Sequence, residues 1–160
     1  MRQVIWRWSN ETSQWASKNI HETGHADATL ELNGLEYQKM YGFGACFNEL
    51  GWEAVNCASE EDRKKLFHEL FSDDAGCANF NVCRVPIGAS DYAFNWYSMD
   101  ETPGDYELKH FSLERDKQAL IPYIREAEKY ASQMKIFASP WSPPTWMKYP
   151  PVYNWGKLIW

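Results

Sequence analysis

Three short apolar runs, YGFGACF (41–47), FNVCRVPIG (80–88) and KIFAS (135–139), are separated by segments of helical period. Strand, helix, strand, helix, strand is the order that favours a parallel sheet with helical crossovers. The ends of these strands are also marked. Pro86 places the end of the second run. The third runs straight into FASPWSPPTWMKYPP (137–151), a stretch with five prolines that no ordinary helix or sheet interior tolerates.

The intervening helices have readable limits. Ser59 can cap the first, with Glu60, Glu61 and Asp62 in its opening turn favouring the helix dipole. Leu66, Phe67, Leu70 and Phe71 then make one apolar face, and SDDAG with Gly76 is the stop. Pro122 is ill suited to the middle of a helix, so the second is predicted from near Ile121 to about Gln133. Ile124, Ala127, Ala131 and Met134 would be its buried face. The two glycines of YGFGACF predict close backbone approach. Upstream, ATLELNGLEYQKM (28–40) alternates through Leu30, Leu32, Leu35 and Tyr37 and predicts a hairpin about Asn33-Gly34. WRWSNETSQWAS (6–17) shows no clear period.

At 160 residues the chain is one domain or a piece of a larger one. A net charge of -6 and a pI near 5.2 argue against nucleic acid as a partner, because phosphate binding needs clustered Lys and Arg. Arg63-Lys64-Lys65 follows three acids and reads as a solvated helix face. Nine tryptophans are more unusual. Some belong to the core, but an excess of indoles also suits a protein that holds sugars, because a pyranose packs its apolar face on a ring. The four cysteines show no metal spacing, and Cys46 beside Phe47 and Cys83 beside Val82 read as small buried hydrophobes. Neither a metal nor a cofactor is expected. No stretch is apolar enough to span a membrane, and the first residues carry no signal-peptide apolar region.

In a barrel built from such units, binding groups sit on the loops at the C-terminal ends of strands. Three loops qualify: FNELGW (47–52), RVPIGASDYAFNWYS (84–98) and PWSPPTWMK (140–148). Arg84 interrupts an apolar strand, so it must be paired or face a polar site. It could clamp a carboxylate at the barrel mouth or make an ordinary ion pair. Asp91 could accept two sugar hydroxyls at once, or close an Asx-turn. Asn48-Glu49 has the look of a glycosidase acid/base pair and would need a second carboxylate, for which Asp91 is a candidate.

Four motifs, in order, carry a resemblance: GFGACFNE, CRVPIGASDYA, YSMDETPGDYELKHFSLERDKQALIPYI and FASPWSPPTWMK. Together, over roughly residues 37 to 155, they closely resemble glycoside hydrolase family 30, the glucosylceramidase-like enzymes. The resemblance implies a TIM (β/α)8 barrel beside a small β-sandwich. Residues 1–36 would be an N-terminal β segment of the sandwich, and residues 37–160 the first three β/α units of an incomplete barrel. It also implies hydrolysis of β-glycosides with retention, without a metal, by two glutamates. By the same resemblance Arg84 is the strand-end arginine near the nucleophile. Asp91 is the aspartate that hydrogen-bonds glycone hydroxyls, and Trp141 lines the glycone subsite. Trp146 shapes its loop and supports Trp141. Glu49 is a supporting acid outside the catalytic pair.

The chain departs from the family pattern in one respect. It contains no Asn-Glu-Pro-like motif, so both catalytic glutamates are expected beyond residue 160 and none on this chain. Taken alone it is expected to be inactive and poorly soluble. Two other readings stand beside a retaining β-glucosidase: a non-catalytic carbohydrate-binding protein, and a small enzyme using Glu49 and Asp91. Glucosylceramide and β-1,6-glucan are both candidate substrates. Family enzymes usually work outside the cytoplasm or in lysosomes, which leaves the compartment of this chain open.

Overall fold

The computed structural model describes residues 5–31 and 33–159. The chain divides into two compact units, Met1–Lys39 and Met40–Trp160.

In the first unit, β1 (Trp6–Trp8) pairs antiparallel with β2 (Ala16–Lys18), with Trp6 opposite Lys18. The Lys18 ammonium lies over both indoles, 4.9 Å from the Trp6 ring and 4.7 Å from that of Trp8. This hairpin falls where no period was legible. The hairpin expected over 28–40 does not form among the described residues; Leu32 lies outside them. Only local features of its turn are present: Gly34 has φ 74° and the Leu35 N–H donates to Asn33 Oδ1 at 3.0 Å. The flanking Leu30, Leu35 and Tyr37 are exposed, and an isolated two-stranded ladder without a packed face is marginal in water.

The second unit carries α1 (Glu49–Asn56), α2 (Glu60–Phe71), β3 (Val82–Ile87), α3 (Leu120–Glu128), β4 (Lys135–Pro140), β5 (Lys148–Tyr149) and β6 (Lys157–Leu158). β3 and β4 pair in parallel along their whole length, Val82 with Lys135 through Ile87 with Pro140. Residues 41–47 lie along the other edge of β3 through parallel bridges, Phe43 to Phe80 and Cys46 to Arg84. Gly44 permits that approach: a Cβ there would fall 2.0 Å from the Val82 carbonyl oxygen. β5 and β6 form a separate antiparallel pair.

The helices cover one face of this parallel sheet. Phe47, Phe67, Phe71, Cys83 and Ala127 are buried together, with Trp52, Val85, Tyr123 and Ile124 packed against them. Tyr123 is central to the cluster. Its ring meets Phe47 at 4.9 Å and Phe67 at 5.7 Å, both edge-on, and lies 5.5 Å from Trp52. Side chains alternate across a sheet, so Arg84 and its neighbour Phe137 project from the face opposite Cys83. Phe137 is 55% exposed there.

Four expectations need correction. FNELGW is not a loop: Asn48 accepts the Gly51 N–H at 2.7 Å and caps α1. Gly51 hid this helix, although Trp52 and Val55 mark its buried side. The run 41–47 is a bridged segment rather than a regular strand. α3 starts at Leu120, which puts Pro122 in the first turn where no N–H is needed, but it ends at Glu128 rather than near Gln133. Turns then bring Lys135 to the Asn81 carbonyl, where β4 begins. Finally, Cys83 is buried but Cys46 is exposed, because its position pairs with Arg84 away from the helix face. All four cysteines are free.

Candidate functional site

β3 and β4 end side by side, and the segments leaving them line a small cleft whose enclosed volume is only about 30 Å³. Ser90 and Asp91 come from the loop after β3, Trp141 and Ser142 from the loop after β4, and Trp96 and Tyr153 complete the wall. Asp91 and Trp141 thus both line this cleft. Asp91 is exposed, and its carboxylate takes part in none of the hydrogen bonds of the described residues. No Asx-turn occupies it. Trp141 is 47% exposed.

Arg84 does not line this cleft itself but lies next to Trp141. Its Nε donates to Ser139 Oγ at 2.8 Å, and its guanidinium carbon lies 5.9 Å from the centre of the Trp141 ring. It is half-buried, yet no carboxylate among the described residues pairs with it. The ordinary ion pair is therefore not what holds it. Its charge is met instead by the Ser139 hydroxyl and the neighbouring Trp141 ring.

The loop after β4 is fixed by Glu101, which sequence reasoning did not single out. Glu101 accepts Ser98 Oγ at 2.6 Å and the Tyr153 hydroxyl at 2.7 Å, together with the hydroxyl and N–H of Thr145. Partial burial pushes its carboxyl up, but the hydrogen bonds from Ser98, Thr145 and Tyr153 outweigh this and hold it below the usual range. Burial, and then the Glu101 partner, raises the Tyr153 hydroxyl above its ordinary value. Lys148 is buried at 6% exposure and donates to Ser142 Oγ at 3.0 Å and the Tyr153 carbonyl at 2.7 Å. Trp146 faces away from this work. Its indole N–H donates to the Asp100 carbonyl at 3.1 Å, and its ring meets Tyr106 edge-on at 5.3 Å. It anchors the loop to residues 100–106 rather than backing the Trp141 ring directly.

Glu49 lies apart from the cleft. It is 4% exposed, and Arg115 grips it in bidentate fashion, Nε and Nη2 each at 3.0 Å. This pair lines a different cavity, with Trp52 and Phe94. A carboxylate committed in this way is not free to act on a substrate in the Asp91 cleft. Nothing in the sequence pointed to Arg115 as the partner, since the two residues are 66 positions apart. Nearby, the Tyr97 hydroxyl donates to the buried Asp116 at 2.6 Å, and burial pushes the Asp116 carboxyl up. Among the described residues no group of three His, Cys, Asp or Glu is placed to hold a metal ion, and no helix is long and apolar enough to cross a membrane.

Comparisons with known proteins agree on one family. Residues 40–156 match the model of the glycosyl hydrolase family 30 TIM-barrel domain. The lysosomal acid glucosylceramidase of Mus musculus is 35% identical over 115 residues, covering 71% of this chain and 22% of its own. An endo-1,6-beta-D-glucanase of Neurospora crassa is 34% identical over 114 residues, covering 69% of this chain and 23% of its own. Among solved structures, SrfJ from Salmonella typhimurium superposes with a TM-score of 0.70 at 34% identity, covering 76% of this chain and 27% of that one. The chain thus spans less than a quarter of the length of these two curated relatives.

Proposed function

The chain belongs to glycosyl hydrolase family 30, and from that premise we propose that it forms the glycone-binding wall of a retaining β-glucosidase. In this reading residues 41–47, β3 and β4 are the first three strands of a (β/α)8 barrel, and the bare face carrying Phe137 is its interior. The unit Met1–Lys39 is read as a contribution to the family's β-sandwich.

The observation that carries the proposal is the half-buried, carboxylate-free Arg84 next to the exposed face of Trp141. The glucosyl ring would lie with its apolar face on Trp141, while Asp91 accepts two of its adjacent hydroxyls. Arg84 would direct its free N–H groups toward the nucleophile carboxylate, keeping that group ionised. In a retaining reaction one carboxyl protonates the departing oxygen while a second, about 5–5.5 Å away, attacks the anomeric carbon. Glu49 and Glu101 are committed to internal partners, so neither is assigned these tasks. The reading places both catalytic glutamates in the part of the family barrel beyond residue 160.

The mouse and Neurospora relatives suggest two substrate classes, a glucosylceramide and a β-1,6-glucan. The test is hydrolysis by the full-length protein of an aryl β-D-glucoside, then of each natural substrate class. Release of β-glucose as first product supports the reading, and whichever natural substrate is cleaved sets the class. Binding of glucose-type ligands without turnover would identify a carbohydrate-binding protein instead.

A further inference from the structure

The residues from Gly88 to Ser98 contain no helix or strand, yet this loop supplies both Asp91 and Trp96 to the cleft. A carboxylate recognises two hydroxyls only if it is held in place, so something must fix the loop. Its base is closed by the Ala89 N–H donating to the Tyr97 carbonyl at 2.8 Å, and α1 supports it through the Leu50 N–H to the Tyr92 carbonyl at 3.1 Å. The strongest anchors are charged. Glu49 Oε2 accepts the Phe94 N–H at 2.7 Å. Arg115 Nη2, held by Glu49, donates to the Asn95 carbonyl at 2.8 Å, and the guanidinium sits 4.0 Å from the Tyr97 ring centre.

We propose that Glu49 and Arg115 act as one positioning pair for sugar recognition: through Phe94 and Asn95 they hold the loop so that Asp91 and Trp96 face the cleft. The inference rests on the reading that this cleft takes a glucosyl ring. Glu49 is buried and Arg115 half-buried, and both are positioning residues rather than catalytic ones. A pair of this kind contributes little net stability over an apolar filling of the same shape, but it orients a backbone N–H and a C=O that apolar side chains would leave unpaired. Its position supports the assignment, since the anchored residues 94 and 95 lie between Asp91 and Trp96.

The probe is D-glucono-1,5-lactone, a neutral glucose mimic, titrated by calorimetry into the full-length protein and its variants. Glu49→Ala and Arg115→Met should each weaken binding between about tenfold and about a hundredfold, the range expected for displaced binding groups. The double variant should be no weaker than the worse single variant, because the two act as a unit. Glu49→Gln keeps an acceptor for Phe94 and should fall between wild type and Glu49→Ala; it also serves if Glu49→Ala does not fold. In turnover of an aryl β-glucoside, KM should rise more than kcat falls. Lower melting temperatures with unchanged lactone affinity in Glu49→Gln and Arg115→Met would make the pair merely structural and overturn the inference. Additive losses in the double variant would overturn the pairing. Failure of the wild type to bind the lactone would remove the glucosyl reading, and the inference with it; normal wild-type binding with unaffected variants would remove the inference alone.

Discussion

Arg84, midway along β3, and Trp141, just past the end of the adjacent parallel strand β4, stand together, the guanidinium 5.9 Å from the indole centre and tied by Nε to Ser139. The pairing of β3 with β4 sets this contact, because Arg84 and Phe137 are register partners and Trp141 follows β4 directly. The indole is thus supported from below and left open above. Trp141→Ala in the full-length protein should lower kcat/KM on an aryl β-glucoside by about tenfold or more, since it removes the large apolar face on which the sugar ring would pack. Its melting temperature should barely move, because the ring is 47% exposed. Equal losses in activity and stability, measured side by side, would make Trp141 a core residue.

Glu101 gives the loop a pH dependence of known sign. Its hydrogen bonds hold the folded-state carboxyl below its ordinary value, so the folded state binds its proton more weakly than the unfolded state. The stabilisation is present above the ordinary glutamate range, about 4.3, and is lost as pH falls through the depressed folded value. Melting temperature should therefore decline on acidification below about pH 4.3 more steeply in the wild type than in Glu101→Gln. Parallel melting profiles for the two proteins would show that Thr145, Ser98 and Tyr153 do not depend on that charge.

Gly44 is a point where the first apolar run and β3 approach too closely to admit a side chain. A Cβ would lie 2.0 Å from the Val82 carbonyl oxygen and 2.9 Å from Cys83 Sγ. Backbone, unlike a long side chain, cannot swing aside. Gly44→Ala should destabilise by about 1–3 kcal/mol, the usual cost of forcing atoms into a packed region. Denaturant unfolding checks this, and a substitution that is neutral would mean the 41–47 segment shifts freely along β3.

What the sequence revealed, and what it concealed, follows from the range of each interaction. Ser59 and its acidic turn announced α2 because capping is local. The parallel arrangement of β3 and β4 followed from the alternation of elements. Asp91 and Trp141 could be named because each stands on a loop just past a strand, and the structure brings both to one cleft. Arg115 could not be named, since nothing within a turn of either residue links it to Glu49. Glu101, too, was unreadable: its partners Thr145 and Tyr153 lie 44 and 52 residues away. The expected 28–40 hairpin failed for the converse reason. Gly34 does take the positive φ a turn would need, but strands also need a face to bury, and Leu30 and Tyr37 have none.

Lys148 offers the sharpest separation of local from global stability. Its ammonium is buried at 6% exposure and bridges Ser142 Oγ to the Tyr153 carbonyl, so it joins the segment that carries Trp141 to the one that carries Tyr153. It is remote from the Phe67 and Ala127 cluster that holds the helices to the sheet, for neither it nor its partners belong to that core. Lys148→Met keeps much of the side-chain bulk but leaves the Tyr153 carbonyl without its donor, at a cost of about 1–3 kcal/mol. Most of that cost should appear as local opening. Amide exchange within residues 140–155 should quicken by about tenfold or more, while α2 and β3 exchange as in the wild type. Lys148→Arg should not restore protection, because a planar fork cannot reproduce two contacts made by one compact ammonium. Uniform loss of protection across α2, β3 and the 140–155 segment would show instead that Lys148 is part of the global folding unit.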